Sequence, residues 1–204
     1  MGFAPDPAAF VTRFFSELNA TLSPATPDFS EPSWYPVLER VLDAFGYACS
    51  RAEASSIFDA LNGVALQEFG IVAYPDAAGV LLALRERGLR IGAVTNNPKP
   101  PHVLADLARH VGLPDVFDVI VSSWELGWRK PHRLPFETAL QALGVEAREA
   151  AHVGDSLEND IAPALDLGMM AVYRSHGGNI EAADLAPHYV ISELRELVAL
   201  LAEH

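Results

Sequence analysis

The 204-residue chain has little cysteine, little lysine and no long apolar run. Its single cysteine, Cys49, excludes a disulfide bond within the chain and fits a reducing cytoplasm. Because no apolar stretch reaches about 18 residues, no membrane-spanning helix is predicted. The N-terminus has no basic segment leading into an apolar stretch, so we also expect no signal peptide. These absences together predict a cytoplasmic protein.

Basic residues are also scarce, with 14 lysines and arginines against 27 acidic residues and a net charge of −13. Nucleic acids and anionic membranes are bound by basic surfaces, so neither is expected as a main partner. An anionic substrate would therefore need a local positive group or a metal ion. The sequence gives no indication of the oligomeric state.

Residues 1–70 carry apolar side chains at helical spacing, which predicts a small helical region. Two helices are predicted around Phe10–Leu18 and Trp34–Phe45, with a loop rich in proline and serine between them. Ser50 and Glu53 have the spacing of a capping box and predict the start of a third helix.

Residues 71–204 change to short apolar strands that alternate with helical segments, which is typical of a parallel sheet. We therefore predict an α/β fold with a Rossmann-like parallel sheet flanked by helices, and a small all-helical cap-like region at the N-terminal side. Ser192 is predicted to cap the last helix. The predicted strands cover residues 89–94, 117–121, 150–153, 169–173 and 189–191.

Polar residues follow the strand that ends near Val94. Thr95, Asn96 and Asn97 offer a hydroxyl, two amides and backbone N–H groups at the start of the next helix, which is a suitable anion site. The alternative is that these residues only cap that helix.

Two further strand ends carry charged residues. Lys130 follows the second strand by about ten residues, and a lysine near phosphate supplies a compact positive charge. Asp155 directly follows Gly154 at the end of the third strand, and Mg²⁺ prefers one or two carboxylates with water and phosphate oxygens. The alternatives are an ordinary surface lysine and an aspartate that caps a helix. Because ligands of open α/β sheets bind at the carboxyl ends of the strands, we expect these groups near one another.

The order and spacing of these motifs resemble the haloacid dehalogenase (HAD) superfamily of hydrolases, which are mostly Mg²⁺-dependent phosphatases. Val94-Thr95-Asn96 resembles the second motif of that family, and Ser122-Ser123 through Lys130-Pro131 resembles the third. The segment from His152 through Asp160 resembles the fourth. The resemblance covers residues 70–192, whereas residues 1–69 resemble the helical cap of subfamily I more weakly.

The resemblance implies a substrate that is a small phosphorylated metabolite. Thr95 and Lys130 would hold the transferring phosphoryl group as catalytic residues, with supplementary contacts from Asn96 and Asn97. Mg²⁺ would bind Asp155, and Asp160 would belong to the metal site by supporting its loop or water shell. Since the dehalogenase branch does not use Mg²⁺, the Gly154-Asp155 pair favours a phosphatase.

The first motif of the family, a strand that ends in Asp-x-Asp, has no counterpart in the sequence. Its first aspartate is the nucleophile, so we predict that this chain is inactive or severely impaired as it stands. The corresponding strand would lie between the strands that end at Thr95 and Asp155. Its loss is expected either to leave a gap there or to force the two strands together.

Three hypotheses explain the missing motif. The natural protein has a longer N-terminus and is a phosphatase, or the chain is a pseudoenzyme that binds phosphate or a partner without turnover. In the third, the motifs are only helix caps in a structural domain.

Two histidines near the motifs are not expected to be catalytic: His152 is interpreted as a hydrogen-bonded core residue, and His132 as a loop residue beside Lys130.

Overall fold

The computed structural model describes 6–22, 29–31, 34–48, 50, 52–54, 56–58, 60, 71–176 and 185–202. The chain divides into two compact units, Met1–Ile71 and Val72–His204. Several residues of the predicted third helix, and the single cysteine, lie outside the described residues: Cys49, Leu61, Val64, Ala65 and Phe69.

The first unit contains helices α1 (Pro7–Leu22) and α2 (Tyr35–Ala44), and helical residues also occur at 52–54 and 56–58. Aromatic packing forms its core. The Trp34 ring stacks on that of Phe58 with centroids 3.7 Å apart, and Phe14 meets Phe58 edge-on at 6.3 Å. Such aromatic contacts stabilise a core beyond the area that they bury.

The predicted capping box at the start of the third helix is present. The backbone N–H of Ser50 donates to the carboxylate of Glu53 at 2.8 Å, and the Glu53 N–H donates back to the Ser50 hydroxyl at 3.4 Å. Two backbone donors at the helix start are thereby satisfied.

The second unit alternates strands and helices, and the predicted α/β class is confirmed. Its strands are β1 (Gly92–Thr95), β2 (Val119–Ser122), β3 (Ala151–Gly154), β4 (Met170–Arg174) and β5 (Tyr189–Ile191). Its α-helices are α3 (Ala77–Glu86), α4 (Pro101–His110), α5 (Ser123–Leu126), α6 (Leu134–Leu143), α7 (Ala162–Leu167) and α8 (Glu196–Leu200). A 3₁₀ turn (Ala147–Glu149) precedes β3, and a π-helical turn (Leu157–Ile161) precedes α7.

In the described part of the chain the strands form two sheets rather than one, and every pair within these sheets is parallel. β1 pairs with β2, and β3, β4 and β5 form the second sheet in that order. Within the described residues, β1 and β3 do not pair with each other. Among the described residues, β1 and β3 therefore end up in different sheets and are not forced into a pair.

The β3–β4–β5 sheet is covered on both faces, as parallel sheets usually are. Val172 of β4 packs in a cluster with Val80 of α3 and Leu197 of α8. Its neighbour Ala171 points to the opposite face, where it packs with Phe136 of α6 and residues of α7. α6 also packs against β1 and β2, so one helix spans both sheets.

Most element boundaries differ from the predictions by one or two residues, and two larger differences have a clear physical cause. The strand predicted from Leu89 begins at Gly92, because Leu89 closes the end of α3 and the Ile91 N–H donates to the Asp118 carboxylate at 2.8 Å. The cap predicted at Ser192 is wrong, because α8 begins at Glu196. The Glu196 carboxylate instead accepts the N–H groups of the turn before the helix.

None of the helices in the described parts of the chain is long and apolar enough to cross a membrane.

Candidate active site

The site lies at the carboxyl ends of the strands. Thr95 closes β1 in register with Ser122 at the end of β2, and Gly154 closes β3. Within the described residues the Thr95 hydroxyl has no hydrogen-bond partner, so it is available to a ligand. These positions follow from the parallel order of the strands, which puts every carboxyl end at the same edge.

Asn96 uses its side chain to hold the backbone of Lys130. Its amide nitrogen donates to the Lys130 carbonyl at 2.9 Å, and its amide oxygen accepts the Lys130 N–H at 2.6 Å. Both polar ends of the amide are therefore engaged. The supplementary phosphate contact predicted for Asn96 would come from its backbone N–H or from the second hydrogen of its amide nitrogen.

Asn97 lies against the two buried serines at the carboxyl end of β2. The Asn97 carbonyl accepts a long hydrogen bond of 3.4 Å from the Ser123 hydroxyl. The side-chain oxygens of Asn97 and Ser122 are buried and have no partner among the described residues. Because a buried polar atom without a partner is costly, these two oxygens mark places where an additional donor would be stabilised.

Lys130, His152 and Asp160 form a buried cluster. One carboxylate oxygen of Asp160 lies 2.5 Å from the Lys130 ammonium nitrogen and 3.2 Å from Nε2 of His152. The other oxygen accepts the Ser156 N–H at 3.1 Å. The Asp160 side chain is only 5% exposed, and both of its oxygens are engaged. This arrangement favours an anchoring role for Asp160 over direct contact with a metal ion.

Asp160 is charged despite its burial. Burial acts to raise the pKa of its carboxyl group, but the hydrogen bond from His152 and the nearby Lys130 ammonium outweigh this effect. The net result is a pKa well below the usual aspartate value. A permanent negative charge thus fixes the lysine at the edge of the strands.

Gly154 is required by the close approach of Asp160. A Cβ atom at position 154 would lie 2.3 Å from both Cβ and Cγ of Asp160, far inside van der Waals contact. Only a residue without a side chain lets the turn after β3 fold back far enough to bring Asp160 to Lys130.

Asp155, in contrast, is open to solvent. Its side chain is 56% exposed, and its Oδ2 lies 3.0 Å from Nε2 of His176. Its other oxygen, Oδ1, has no hydrogen-bond partner in the described part of the chain. An exposed carboxylate with a free oxygen fits a hard cation such as Mg²⁺, which needs few protein ligands and keeps several waters.

The cation would have few protein ligands here. The described residues contain no group of three or more histidine, cysteine, aspartate or glutamate side chains arranged to hold a metal ion. Asp155 would therefore contribute one ligand, with water and phosphate oxygens supplying others.

His176 follows β4 and is held by Arg174, the last residue of that strand. The Arg174 Nη1 atom lies 3.1 Å from Nδ1 of His176, and the Arg174 guanidinium stacks 3.8 Å above the ring of Tyr74. The sequence motifs did not indicate these residues. They could have been recognised as candidate site residues from their position at the carboxyl end of a predicted strand, because the strand before it ends next to Asp155.

His152 was interpreted from the sequence only as a hydrogen-bonded core residue. Its ring is mostly buried and meets Phe136 edge-on at 4.9 Å, but its hydrogen bond goes to Asp160. A strand points every second side chain to the same face, and His152 is two residues before Gly154. That spacing was the signal for its place in the cluster.

His132 is used locally. Its ring stacks on Trp128 with centroids 4.3 Å apart, and its Nδ1 accepts the N–H of Leu134. The other lysine of the chain, Lys99, lies in the loop before α4, where burial lowers its pKa to about 8.

The sequence matches a family of known enzymes. The family model described as haloacid dehalogenase-like hydrolase matches residues 21–168. Glyceraldehyde 3-phosphate phosphatase of Methanocaldococcus jannaschii is 33% identical over 63% of this chain and 56% of its own length. Phosphoglycolate phosphatase of Yersinia pseudotuberculosis is 33% identical over 67% of this chain and 57% of its own length. The chain thus spans little more than half of these curated relatives.

The fold also matches solved structures. A 2-haloacid dehalogenase from Pseudomonas syringae aligns with a TM-score of 0.68 and 26% identity, over 97% of this chain and 93% of that one. A HAD phosphatase from Thermococcus onnurineus aligns with a TM-score of 0.63 and 24% identity, over 95% of this chain and 89% of that one. The second likeness concerns the fold alone.

Proposed function

Because the chain belongs to the haloacid dehalogenase-like hydrolases, we propose that its site binds the phosphate group of a small phosphorylated metabolite together with Mg²⁺, as in phosphate-monoester hydrolysis. The relatives named for glyceraldehyde 3-phosphate and phosphoglycolate support this substrate class. Residues 1–70 are proposed as the cap of such an enzyme. The single cysteine supports a reducing, cytoplasmic setting.

The fixed position of Lys130 carries the proposal. Its backbone is held by the side chain of Asn96, the residue after Thr95, and its ammonium group is held by Asp160. One hydrogen of the ammonium group is used by Asp160, which leaves two for phosphate oxygens. Phosphoryl transfer depends mainly on such positioning and on neutralisation of charge.

The acidity of the protein favours a cation at Asp155. With a net charge of −13, the chain repels a phosphate dianion overall, and the positive charge of Lys130 is already opposed by the carboxylate of Asp160. A bound Mg²⁺ would supply further positive charge for the phosphate oxygens. In this proposal Asp155 holds the cation, and Asp160 belongs to the site as the anchor of Lys130.

Hydrolysis by the family mechanism also requires a nucleophilic aspartate. Neither the sequence nor the set of residues described at this edge supplies the Asp-x-Asp pair, and β1 and β3 do not pair with each other in the described chain. We therefore propose that the 204-residue chain binds phosphate and Mg²⁺ but does not turn a phosphate ester over above background.

Calorimetry with orthophosphate tests the binding proposal. In the presence of Mg²⁺ we expect saturable binding to the chain, and Lys130→Met should weaken it at least tenfold because it removes the only described ammonium in the cluster. Arg109→Met removes an exposed positive charge at the end of α4 and serves as the control, which should bind as the wild type does. Equal binding by all three proteins would contradict the proposal.

An assay with a generic aryl phosphate tests the predicted lack of turnover. We expect no Mg²⁺-dependent hydrolysis above background by the 204-residue chain. Appreciable hydrolysis that Asp155→Asn abolishes would mean that the chain contains a nucleophile that its sequence motifs do not reveal.

A second candidate function is dehalogenation, which the 26% identity to the Pseudomonas syringae enzyme favours. A dehalogenase would release halide from a 2-haloalkanoate without a divalent cation. Halide release in the presence of a chelator would favour dehalogenation over the proposed phosphate site, and we expect none.

A further inference from the structure

The two ring nitrogens of His176 have different partners. Nδ1 lies 3.1 Å from Nη1 of Arg174, and Nε2 lies 3.0 Å from Oδ2 of Asp155. The ring therefore stands between a guanidinium group and the carboxylate that is proposed to bind the cation.

These partners fix which nitrogen carries the proton. An arginine side chain has only donors, so the contact with Arg174 requires Nδ1 to be an unprotonated acceptor. In a neutral imidazole the other nitrogen then carries the hydrogen. Nε2–H consequently donates to Oδ2 of Asp155.

Arg174 is itself held in place. It is the last residue of β4, and its guanidinium lies over the Tyr74 ring at 3.8 Å from the centroid. Stacking on an aromatic face holds the guanidinium plane by a cation–π contact. Its Nη1 thus presents a fixed donor to the imidazole.

We propose that Arg174 and His176 are positioning residues for Asp155. Arg174 selects the tautomer of His176, and His176 holds Oδ2, which leaves Oδ1 as the oxygen for a divalent cation. The inference rests on the proposed cation-binding role of Asp155. Hydrogen bonds of this kind orient carboxylate ligands, and their loss commonly weakens metal affinity about tenfold or more.

Nitrogen-15 NMR of the histidine rings at pH 8 tests the tautomer directly. We expect a pyridine-type signal for Nδ1 of His176 and a pyrrole-type signal for Nε2, with the signals assigned by their loss in His176→Gln. Arg174→Met should return the ring to a mixture of tautomers. A ring protonated mainly on Nδ1 in the wild type would overturn the proposal.

Titration with Mn²⁺, with free Mn²⁺ followed by electron paramagnetic resonance, tests the effect on Asp155. We expect His176→Ala to weaken binding about tenfold. His176→Gln retains an N–H donor of similar reach and should restore most of the affinity. His110→Gln, at the exposed end of α4, is the matched control and should bind as the wild type does.

The outcomes separate this inference from the proposed function. Absence of Mn²⁺ binding by the wild-type chain would overturn both. Binding that is unchanged in His176→Ala, or equally weak in His176→Ala and His176→Gln, would overturn the positioning role alone. Since the side chain of His176 is half exposed, circular dichroism is expected to show folded variants in each case.

Discussion

Asp155 and Asp160 both lie in the short segment between β3 and α7, yet they occupy opposite environments. Asp160 is 5% exposed and has three partners, Lys130, His152 and the Ser156 N–H. Asp155 is 56% exposed and has one described partner, His176. Two aspartates five residues apart therefore belong to a buried cluster and to an exposed pair.

The contrast explains how one short segment contributes two carboxylates with different roles. A buried carboxylate whose oxygens are all engaged is fixed and holds a cationic side chain in place. An exposed carboxylate with a free oxygen can accept a cation from solvent. We infer that burial and partners, rather than residue type, divide the two roles.

The largest effect is expected from Asp160→Asn. It leaves the Lys130 ammonium group largely buried without its counter-charge, which should lower the free energy of unfolding by about 3 kcal/mol. Asp155→Asn changes only a solvent-exposed pair and should alter stability by less than about 0.5 kcal/mol. Urea unfolding of both variants measures the difference. Equal losses would show that the two environments are energetically alike.

Gly154→Ala should have the next largest effect. Its new methyl group would lie 2.3 Å from Cβ and Cγ of Asp160, so the loop must shift and stability should fall by about 2 kcal/mol. Gly79→Ala in α3 is the matched control. No atom lies within 4 Å of the position that its methyl group would take, so we expect a gain of about 0.5–1 kcal/mol from helix propensity. Thermal unfolding gives both values, and a neutral Gly154→Ala would contradict the tight contact with Asp160.

The stability of the buried cluster should depend on acid pH. The folded pKa of Asp160 lies below the unfolded value of about 3.9, so its contribution is present above that pH and is lost as the pH falls below it. The difference in unfolding free energy between the wild type and Asp160→Asn should therefore shrink by about 1 kcal/mol or more from pH 6 to pH 3. A constant difference over this range would contradict the predicted charge of Asp160.

The smallest effect concerns the two lysines of the chain. Lys130 has an ion pair with Asp160, whereas burial lowers the pKa of Lys99 to about 8. Between pH 8 and about 10.4 the unfolded chain holds more protons at Lys99 than the folded chain, so stability should rise with pH. Because the side chain keeps some contact with water, we expect a rise of about 1 kcal/mol. Lys99→Met should lack this rise in the free energy of unfolding. Urea unfolding at several pH values measures it, and an identical pH profile for both proteins would contradict the lowered pKa of Lys99.

The sequence predicted the α/β class and the succession of strands and helices along the chain, because both depend on local apolar patterns. The ends of the strands were recognisable from Gly154 and from polar residues such as Thr95, which interrupt apolar runs. Strand partners were not recognisable, since pairing depends on segments far apart in the chain. The sequence therefore left open whether β1 and β3 would pair, and within the described chain they do not.

The partners of the site residues were harder to predict. Asn96 was expected to supplement the phosphate site, but the hydrogen bond of its side chain to the Lys130 backbone, 34 residues away, was not predicted. His176 lies 21 residues from Asp155 and has no motif around it that indicates the contact. Such pairs are determined by the packing of strands and loops, which a periodic pattern does not encode.

The most direct test of the divided roles is calorimetric titration of Mg²⁺ into the wild type, Asp155→Asn and folded Asp160→Asn. We predict saturable binding by the wild type, loss of binding in Asp155→Asn and retained binding in Asp160→Asn. Undiminished binding by Asp155→Asn, with loss in Asp160→Asn, would contradict the assignment of Asp155 as the cation ligand and Asp160 as the anchor of Lys130.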